Sequence, residues 1–232
     1  MQLLLIEGQP GSGKTTFVEK ICGSLADRNA KFVLNDEYRQ DTAIFGDLWE
    51  DNTVQSSATQ ELLLTAWRKY IFDNQDDNAI HIFDNSLMNH IQYLMAITTP
   101  EEEVMQFFSR IAAVFEQTDA RMVFLDGDSE IVIKRVDAAR KNGWGERVAA
   151  MLEGFPYQQQ RNRKGKSGMA KFFSDSQALK RKTLEYWAFP LLKVDITEGH
   201  WPEYEARILS GFILPWARTA SITGSIEFSQ TP

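Results

Sequence analysis

A glycine-rich segment lies near the start of the chain, between a short apolar run and a stretch with helical character. It reads Gly8-Gln9-Pro10-Gly11-Ser12-Gly13-Lys14-Thr15, which satisfies the Walker A pattern G-x-x-x-x-G-K-[ST]. The glycines let backbone N–H groups turn inward around a phosphate group, and the helix that follows directs its positive end at the same anion. Lys14 is expected to bridge the outer phosphates, and the Thr15 hydroxyl is expected to coordinate Mg²⁺.

The sequence therefore predicts a site for ATP and Mg²⁺ in this segment. A GTPase needs in addition a guanine-reading Asn-Lys-x-Asp segment, and the sequence contains none. The residues expected to contact the nucleotide are Gly8, Pro10, Gly11, Ser12, Gly13, Lys14, Thr15 and Thr16.

Short apolar runs alternate with helical patterns along the chain. This alternation, together with the glycine-rich segment, predicts an α/β fold of the P-loop NTPase type, with a mostly parallel five-stranded sheet and helices on both faces. The predicted strands are 3–6, 31–35, 79–83, 121–125 and 191–195. The predicted helices are 14–26, 58–72, 86–97, one that has Thr99 as its N-cap and Pro100 at its first position, and 129–142.

Composition limits the class of protein. The 232 residues are 43% hydrophobic and 25% charged, which is typical of a soluble globular protein. The net charge of −7 disfavours a protein that grips nucleic-acid backbone, because such binding requires a positive surface. The single cysteine and the lack of a membrane-length apolar run favour the cytoplasm. We expect one domain at 1–219 and a loose tail at 220–232, and a homodimer is possible.

The order of the motifs resembles the thymidylate kinase and deoxynucleoside kinase superfamily over most of residues 1–215. After the glycine loop come an acidic residue that follows strand two, another that closes strand three, and a basic segment beyond strand four. In that superfamily a glutamate after strand two often lies near the phosphoryl acceptor, and Glu37 is the matching residue. Glu37 is expected to accept or orient the proton of a substrate hydroxyl. A solvated loop acid is the alternative.

The motif at the end of strand three reads Asp84-Asn85-Ser86, where the family has Asp-Arg-Ser or Glu-Arg-Ser. The resemblance places Asp84 beside Mg²⁺, directly or through water, because it ends a buried strand next to the glycine loop. Helix capping by Asp84 or Ser86 is the alternative. With asparagine in place of the arginine, the family pattern does not specify what would hold a phosphate on the acceptor.

Basic residues follow strand four. Arg135 and Arg140 are expected to neutralise charge on the transferring phosphoryl group. Arg161 and Arg163 resemble lid residues that contact the nucleotide, in a lid near 144–171 whose glycines permit movement. A solvated surface is the alternative for each arginine.

Aromatic side chains are candidates either for stacking on an acceptor or for the core. They are Tyr38, Phe45, Trp49, Trp67 and Tyr70. Together the motifs predict an ATP-dependent phosphotransferase that moves the γ-phosphate to a small hydroxylated or phosphorylated acceptor. An ATP-binding switch that acts on a protein partner is the alternative, and slow hydrolysis without an acceptor is a third possibility.

Overall fold

The computed structural model describes residues 1–37, 44–45, 56–140 and 143–217. Tyr38, Trp49 and the predicted tail at 220–232 lie outside these residues. Within the described residues, no helix combines the length and the apolar character that crossing a bilayer requires.

Five parallel strands form one sheet in the order β2-β3-β1-β4-β5. This confirms the predicted sheet. The first strand is central, with Ile6 opposite Asp84 on one neighbour and Gly8 opposite Leu125 on the other. The carboxyl ends of β1, β3 and β4 therefore meet at one edge. The strands are β1 (Gln2–Gly8), β2 (Phe32–Asn35), β3 (Ile80–Asp84), β4 (Asp119–Asp126) and β5 (Leu191–Asp195).

Helices cover both faces of the sheet. The helices that precede β4 in the chain are α1 (Lys14–Ala26), α2 (Ser56–Asn74), α3 (Leu87–Ala96) and α4 (Glu101–Val114). Beyond β4 they are α5 (Ser129–Ala139), α6 (Trp144–Glu153), α7 (Pro156–Gln160), α8 (Gly165–Thr183), α9 (Trp201–Ala206) and α10 (Leu214–Ala217). A π-helix at Arg207–Ile213 joins the last two, and 3₁₀ turns lie at Phe115–Gln117 and Leu184–Tyr186.

Alternate residues of β1 point into two separate cores. Leu3 and Leu5 pack with α2, α3, α4, α6 and α8, whereas Leu4 and Ile6 pack with α1 and the C-terminal helices. This alternation is expected for a strand that is buried on both faces of a parallel sheet.

Two local predictions were wrong. Thr99 does not cap α4: its hydroxyl donates to Ser56 Oγ at 2.8 Å, and the helix begins at Glu101 after Pro100. No helix was predicted over the basic, glutamine-rich stretch 154–171, but it contains α7 and the start of α8. Its apolar residues Phe155 and Met169 are buried in the core, so packing orders a segment whose composition is polar.

The Glu7 carboxylate ties β1 to α3 inside the protein. It is fully buried and accepts hydrogen bonds from four donors at the start of α3: Ser86 N, Ser86 Oγ, Leu87 N and Met88 N. Burial raises the pKa of Glu7 to about 7, while these donors and the positive charge of Lys180 lower it. The carboxylate thereby satisfies backbone N–H groups that the first turn of a helix leaves without partners.

We expect Glu7→Gln to lower the free energy of unfolding by about 3 kcal/mol, because an amide nitrogen would then face hydrogen-bond donors in the interior and Lys180 would lose a counter-charge. Urea denaturation measures the loss. Glu205→Gln is the control, since Glu205 forms a partly exposed ion pair with Lys20 whose removal should cost less than about 1 kcal/mol. Equal losses in the two variants would contradict a structural role for the buried carboxylate.

Candidate active site

The glycine loop has the backbone shape that its sequence predicts. Gly11 and Gly13 have φ values of 82° and 84°, in the left-handed region that side chains disfavour. A Cβ atom at Gly8 would lie 2.6 Å from Ser12 Oγ and 2.8 Å from Leu125 O. The loop therefore requires glycine at these positions, and it leads directly into the N-terminus of α1.

Polar atoms inside the loop fit a phosphate group. Ser12 is fully buried, and among the described residues its Oγ has no hydrogen-bond partner. Lys14 is 8% exposed and donates to Gln9 O at 3.1 Å. Burial lowers the pKa of Lys14, while the negative charges of Glu37, Asp84 and Glu7 raise it. A buried hydroxyl and a buried ammonium group beside inward-turned amides suit an anion.

Thr15 and Asp84 form the oxygen pair at which Mg²⁺ was expected. Thr15 Oγ1 donates to Asp84 Oδ2 at 2.8 Å, and Asp84 is 5% exposed. Burial raises the pKa of Asp84, and the charge of Lys14 and the Thr15 hydrogen bond lower it. A hydroxyl and a carboxylate are the donor types that Mg²⁺ binds alongside phosphate oxygens, so these residues fit the metal.

Glu37 lies next to this pair and is held by Asn85. Asn85 Nδ2 donates to Glu37 Oε1 at 2.8 Å, and the Asn85 backbone has a positive φ of 59°. Its N–H donates to Ile6 O at 2.9 Å, which fixes the turn between β3 and α3. Asn85, at the position where the resembled superfamily has an arginine, thus positions the carboxylate that follows β2.

A cavity of about 510 Å³ extends from the loop between α3, α5 and α6. Its polar side is formed by Lys14, Thr15, Glu37, Asn85, Asn89, Gln92 and Arg140. Its apolar side is formed by Val136, Ala139, Trp144, Val148, Met151, Leu152 and Phe173. Pockets of this size hold small molecules, and a few polar groups on an apolar wall set their orientation.

The structure brings two of the four predicted arginines to this cavity. Arg140 follows the end of α5 in an extended conformation, with φ −87° and ψ 106°, and its guanidinium lies 5.3 Å from the Trp144 ring centre. Arg135 donates to Ile196 O at 3.2 Å and Thr197 O at 2.8 Å and lies over Trp201. Arg135 is therefore fixed to the loop after β5, at the rim of the cavity.

Arg161 and Arg163 do not line the cavity. Arg163 pairs with Asp175, and Arg161 lies 3.6 Å from the centre of the Tyr157 ring and donates to its carbonyl. In this structure Arg163 therefore ties the segment after α7 to α8, whereas Arg161 packs on α7 itself. A nucleotide contact by either arginine stays a prediction.

The aromatic candidates that the structure describes belong to the core. Phe45 and Trp67 are buried with ring centres 4.9 Å apart, and the Tyr70 hydroxyl contacts Asn35 and His81. The aromatic walls of the cavity are instead Trp144 and Phe173. Among the polar lining residues, Asn89 and Gln92 were missed, because amides on a helix have no motif. Glu7 was also missed, although a charged residue within an apolar strand is visible in the sequence.

No protein-family model matches the chain, and no curated protein matches it in sequence. Solved structures match it over most of its length. The YorR protein from Bacillus subtilis, solved in complex with phosphorylated GDP, is 15% identical, with a TM-score of 0.55 over 93% of this chain and 98% of that one. Thymidylate kinase from Candida albicans is 20% identical, with a TM-score of 0.52 over 98% and 97% of the two chains.

Deoxyadenosine kinase from M. mycoides, solved with the products dCMP and a flexible dCDP, is 14% identical, with a TM-score of 0.50 over 90% of this chain and 98% of that one. The chain has a P-loop nucleotide-kinase fold. The fold resemblance that the motifs predicted is thereby confirmed. Because the identities are low, these kinases define the fold of this chain, and its activity has to be argued from its own site.

We expect Gly11→Ala to weaken ATP binding and to cost about 1–3 kcal/mol of stability, because a Cβ there would lie 2.6 Å from Val136 Cβ at a φ of 82°. Binding of a fluorescent ATP analogue and urea denaturation measure the two effects. Gly23→Ala is the matched control, since nothing lies within 4 Å of its Cβ position in α1. Unchanged ATP affinity in Gly11→Ala would contradict the assignment of the loop.

Proposed function

We propose that the protein is an ATP-dependent phosphotransferase that moves the γ-phosphate to a small hydroxylated acceptor seated in the cavity beside the glycine loop. The proposal rests on one observation: the phosphate loop opens into the cavity, so the two form one continuous site. Lys14, Thr15 and Glu37 line one cavity with the apolar wall of α6. A hydrolase that uses only water needs no such compartment, whereas a kinase must hold its acceptor next to the phosphates.

The loop amides and Lys14 would hold the phosphates, and Thr15 and Asp84 would hold Mg²⁺. When bound, the metal neutralises phosphate charge. The acceptor oxygen bonds to the γ-phosphorus as the bond from phosphorus to the departing ADP oxygen breaks, and the acceptor's proton passes to the Glu37 carboxylate. Asn85 orients that carboxylate through its hydrogen bond. Arg140, on the same cavity wall, would stabilise negative charge on the phosphoryl group.

The test is ADP formation with Mg²⁺ across a panel of nucleosides, nucleoside monophosphates and other small alcohols, with Lys14→Ala as the control. We expect an acceptor in the panel to stimulate ADP formation by the native chain, and the variant to show no stimulation. Tight ATP binding without stimulation by any acceptor would overturn the proposal and favour an ATP-dependent switch.

Glu37→Gln should lower kcat by about 10²–10⁴-fold, because an amide cannot accept the acceptor's proton. The affinity for ATP should stay the same, since the loop residues bind the phosphates. Steady-state kinetics with the stimulating acceptor measures both. Glu116→Gln is the control, because Glu116 is exposed before the N-terminal end of β4, at the opposite edge of the sheet. An unchanged kcat in Glu37→Gln would remove this residue from the mechanism.

A further inference from the structure

Four side chains form a hydrogen-bonded relay that leads from the surface to the end of β2, just before Glu37. Asn35 Nδ2 donates to the Tyr70 hydroxyl oxygen at 2.9 Å, and that oxygen lies 2.6 Å from His81 Nδ1. On the other side of the ring, His81 Nε2 lies 3.1 Å from Asp77 Oδ2. Asn35 and His81 are buried, whereas the Asp77 side chain is 39% exposed. The relay therefore connects solvent to the strand that precedes the proposed base.

The partners allow one direction of hydrogen bonding through the relay. The Tyr70 oxygen accepts from Asn35, so the single hydroxyl hydrogen is left for His81 Nδ1. With Nδ1 as an acceptor, a neutral imidazole carries its hydrogen on Nε2 and donates it to Asp77. Asp77 is itself fixed, because its Oδ1 accepts from Ala79 N at 2.9 Å. The complete relay thus requires His81 to be neutral.

The surroundings of His81 favour this neutral form. His81 lies opposite Leu3 of β1 and Val33 of β2, and both are apolar. Burial lowers the pKa of His81, the charge and hydrogen bond of Asp77 raise it, and the N-terminal ammonium group at the start of β1 lowers it. From α2 the facing group is Tyr70. Burial raises the pKa of Tyr70 to about 12, so it keeps the hydrogen that it donates.

Protonation of His81 would disrupt the relay. An imidazolium ring has donors at both nitrogens and no acceptor. Its Nδ1 hydrogen would compete with the Asn35 amide for the Tyr70 oxygen, and the Tyr70 hydrogen would lose its acceptor. Because the pKa of His81 lies below its ordinary value of 6.5, the relay is complete above that pH and is lost as the pH falls through the lowered pKa.

The position of Glu37 depends on the strand that the relay holds. Asn35 is the last residue of β2, a four-residue strand at the edge of the sheet with β3 as its neighbour. An edge strand has ladder hydrogen bonds on one side only, so side-chain contacts at its end matter for its position. The bond from Asn35 to Tyr70 ties that end to α2, and Glu37 follows two residues later.

We propose that Tyr70 and His81 are positioning residues for Glu37, and that the relay switches phosphoryl transfer off when His81 becomes charged. This inference rests on the proposed function, because that function assigns the acceptor's proton to Glu37. Neither residue lines the cavity, so both act through Asn35 and the end of β2. The partly exposed Asp77 carboxylate lies between His81 and solvent, which lets the ring respond to the pH outside.

Long-range ¹H–¹⁵N NMR of the three histidine rings tests the relay without any acceptor. At neutral pH we expect His81 to carry its hydrogen on Nε2. On acidification the side-chain amide signals of Asn35 and Asn85 should follow the titration of His81, since Asn85 donates to Glu37.

His81→Gln is the matched variant for this measurement. The amide oxygen of glutamine can accept from Tyr70 and its nitrogen can donate to Asp77, but the side chain does not titrate. The signals of Asn35 and Asn85 should therefore lose the component that follows the histidine titration.

The pH profile of kcat tests the consequence for phosphoryl transfer. The probe is Mg²⁺-ATP with the compound of the nucleoside and alcohol panel that the native chain phosphorylates fastest. We expect Tyr70→Phe to lower kcat about 10–100-fold with an unchanged KM for ATP, because the proposed base is misplaced. His81→Gln should keep the native kcat at neutral pH and lose the decline in acid that follows His81. Tyr186→Phe is the control, because Tyr186 is 48% exposed and lies outside the cavity, and it should match the native chain.

Several results would overturn the relay: a hydrogen on His81 Nδ1, a ring that stays neutral down to the pH at which the fold is lost, an unchanged kcat in folded Tyr70→Phe, or the same acid decline of kcat in His81→Gln as in the native chain. If Tyr70→Phe does not fold, His81→Gln still decides the question.

Failure of the relay and failure of the proposed function are distinguishable. Amide signals that follow His81 in a chain that no acceptor stimulates would support the relay and overturn the phosphotransferase activity. Stimulation by an acceptor with identical pH profiles in the native chain and His81→Gln would support the activity and overturn the relay.

Discussion

A buried carboxylate in the central strand connects the parts of the site. Glu7 lies one residue before the glycine loop and accepts the first N–H groups of α3. The end of β1 and the start of α3 are thereby fixed together, although they are about eighty residues apart in sequence. Asp84 and Asn85 lie between β3 and that helix, so the same contact sets their positions beside Lys14 and Thr15.

The charges around the cavity balance one another in an interior where a single ion would be unfavourable. Glu7, Glu37 and Asp84 all raise the pKa of Lys14, and burial lowers it. Lys180 lies behind the cavity and interacts electrostatically with Lys14, Glu7 and Glu37. A negatively charged phosphate group would therefore enter a site whose cations are already placed and whose carboxylates are held by hydrogen bonds, which lowers the cost of reorganisation on binding.

The sequence was sufficient for the fold and the phosphate loop, because both depend on local patterns. Apolar runs of strand length alternate with helical patterns, and the glycines of the loop are required by backbone geometry at Gly8 and Gly11. The predicted ends of the helices and strands agree with the observed ends within a few residues. Arg140, however, lies beyond the end of α5 rather than within it. That difference directs its side chain into the cavity.

The cavity walls beyond the phosphate loop could not be predicted in the same way. Asn89, Gln92 and Trp144 come together only when α3, α5 and α6 pack, and a single amide or indole has no characteristic spacing. Arg161 and Arg163 were interpreted as nucleotide-binding residues of a lid near 144–171, whereas in the structure Arg163 pairs with Asp175 and Arg161 stacks on Tyr157. A charged side chain between two helices has neighbours that sequence spacing does not reveal.

Lys14, Thr15 and Asp84 together form the site that we propose for ATP and Mg²⁺. Calorimetric titration of ATP into the native chain and into Asp84→Asn, each with Mg²⁺ and with a chelator, tests this site. We expect Mg²⁺ to strengthen ATP binding to the native chain, and we expect Asp84→Asn to lose most of this gain but still to bind ATP. Equal affinity with and without Mg²⁺, or an undiminished gain in Asp84→Asn, would contradict this assignment.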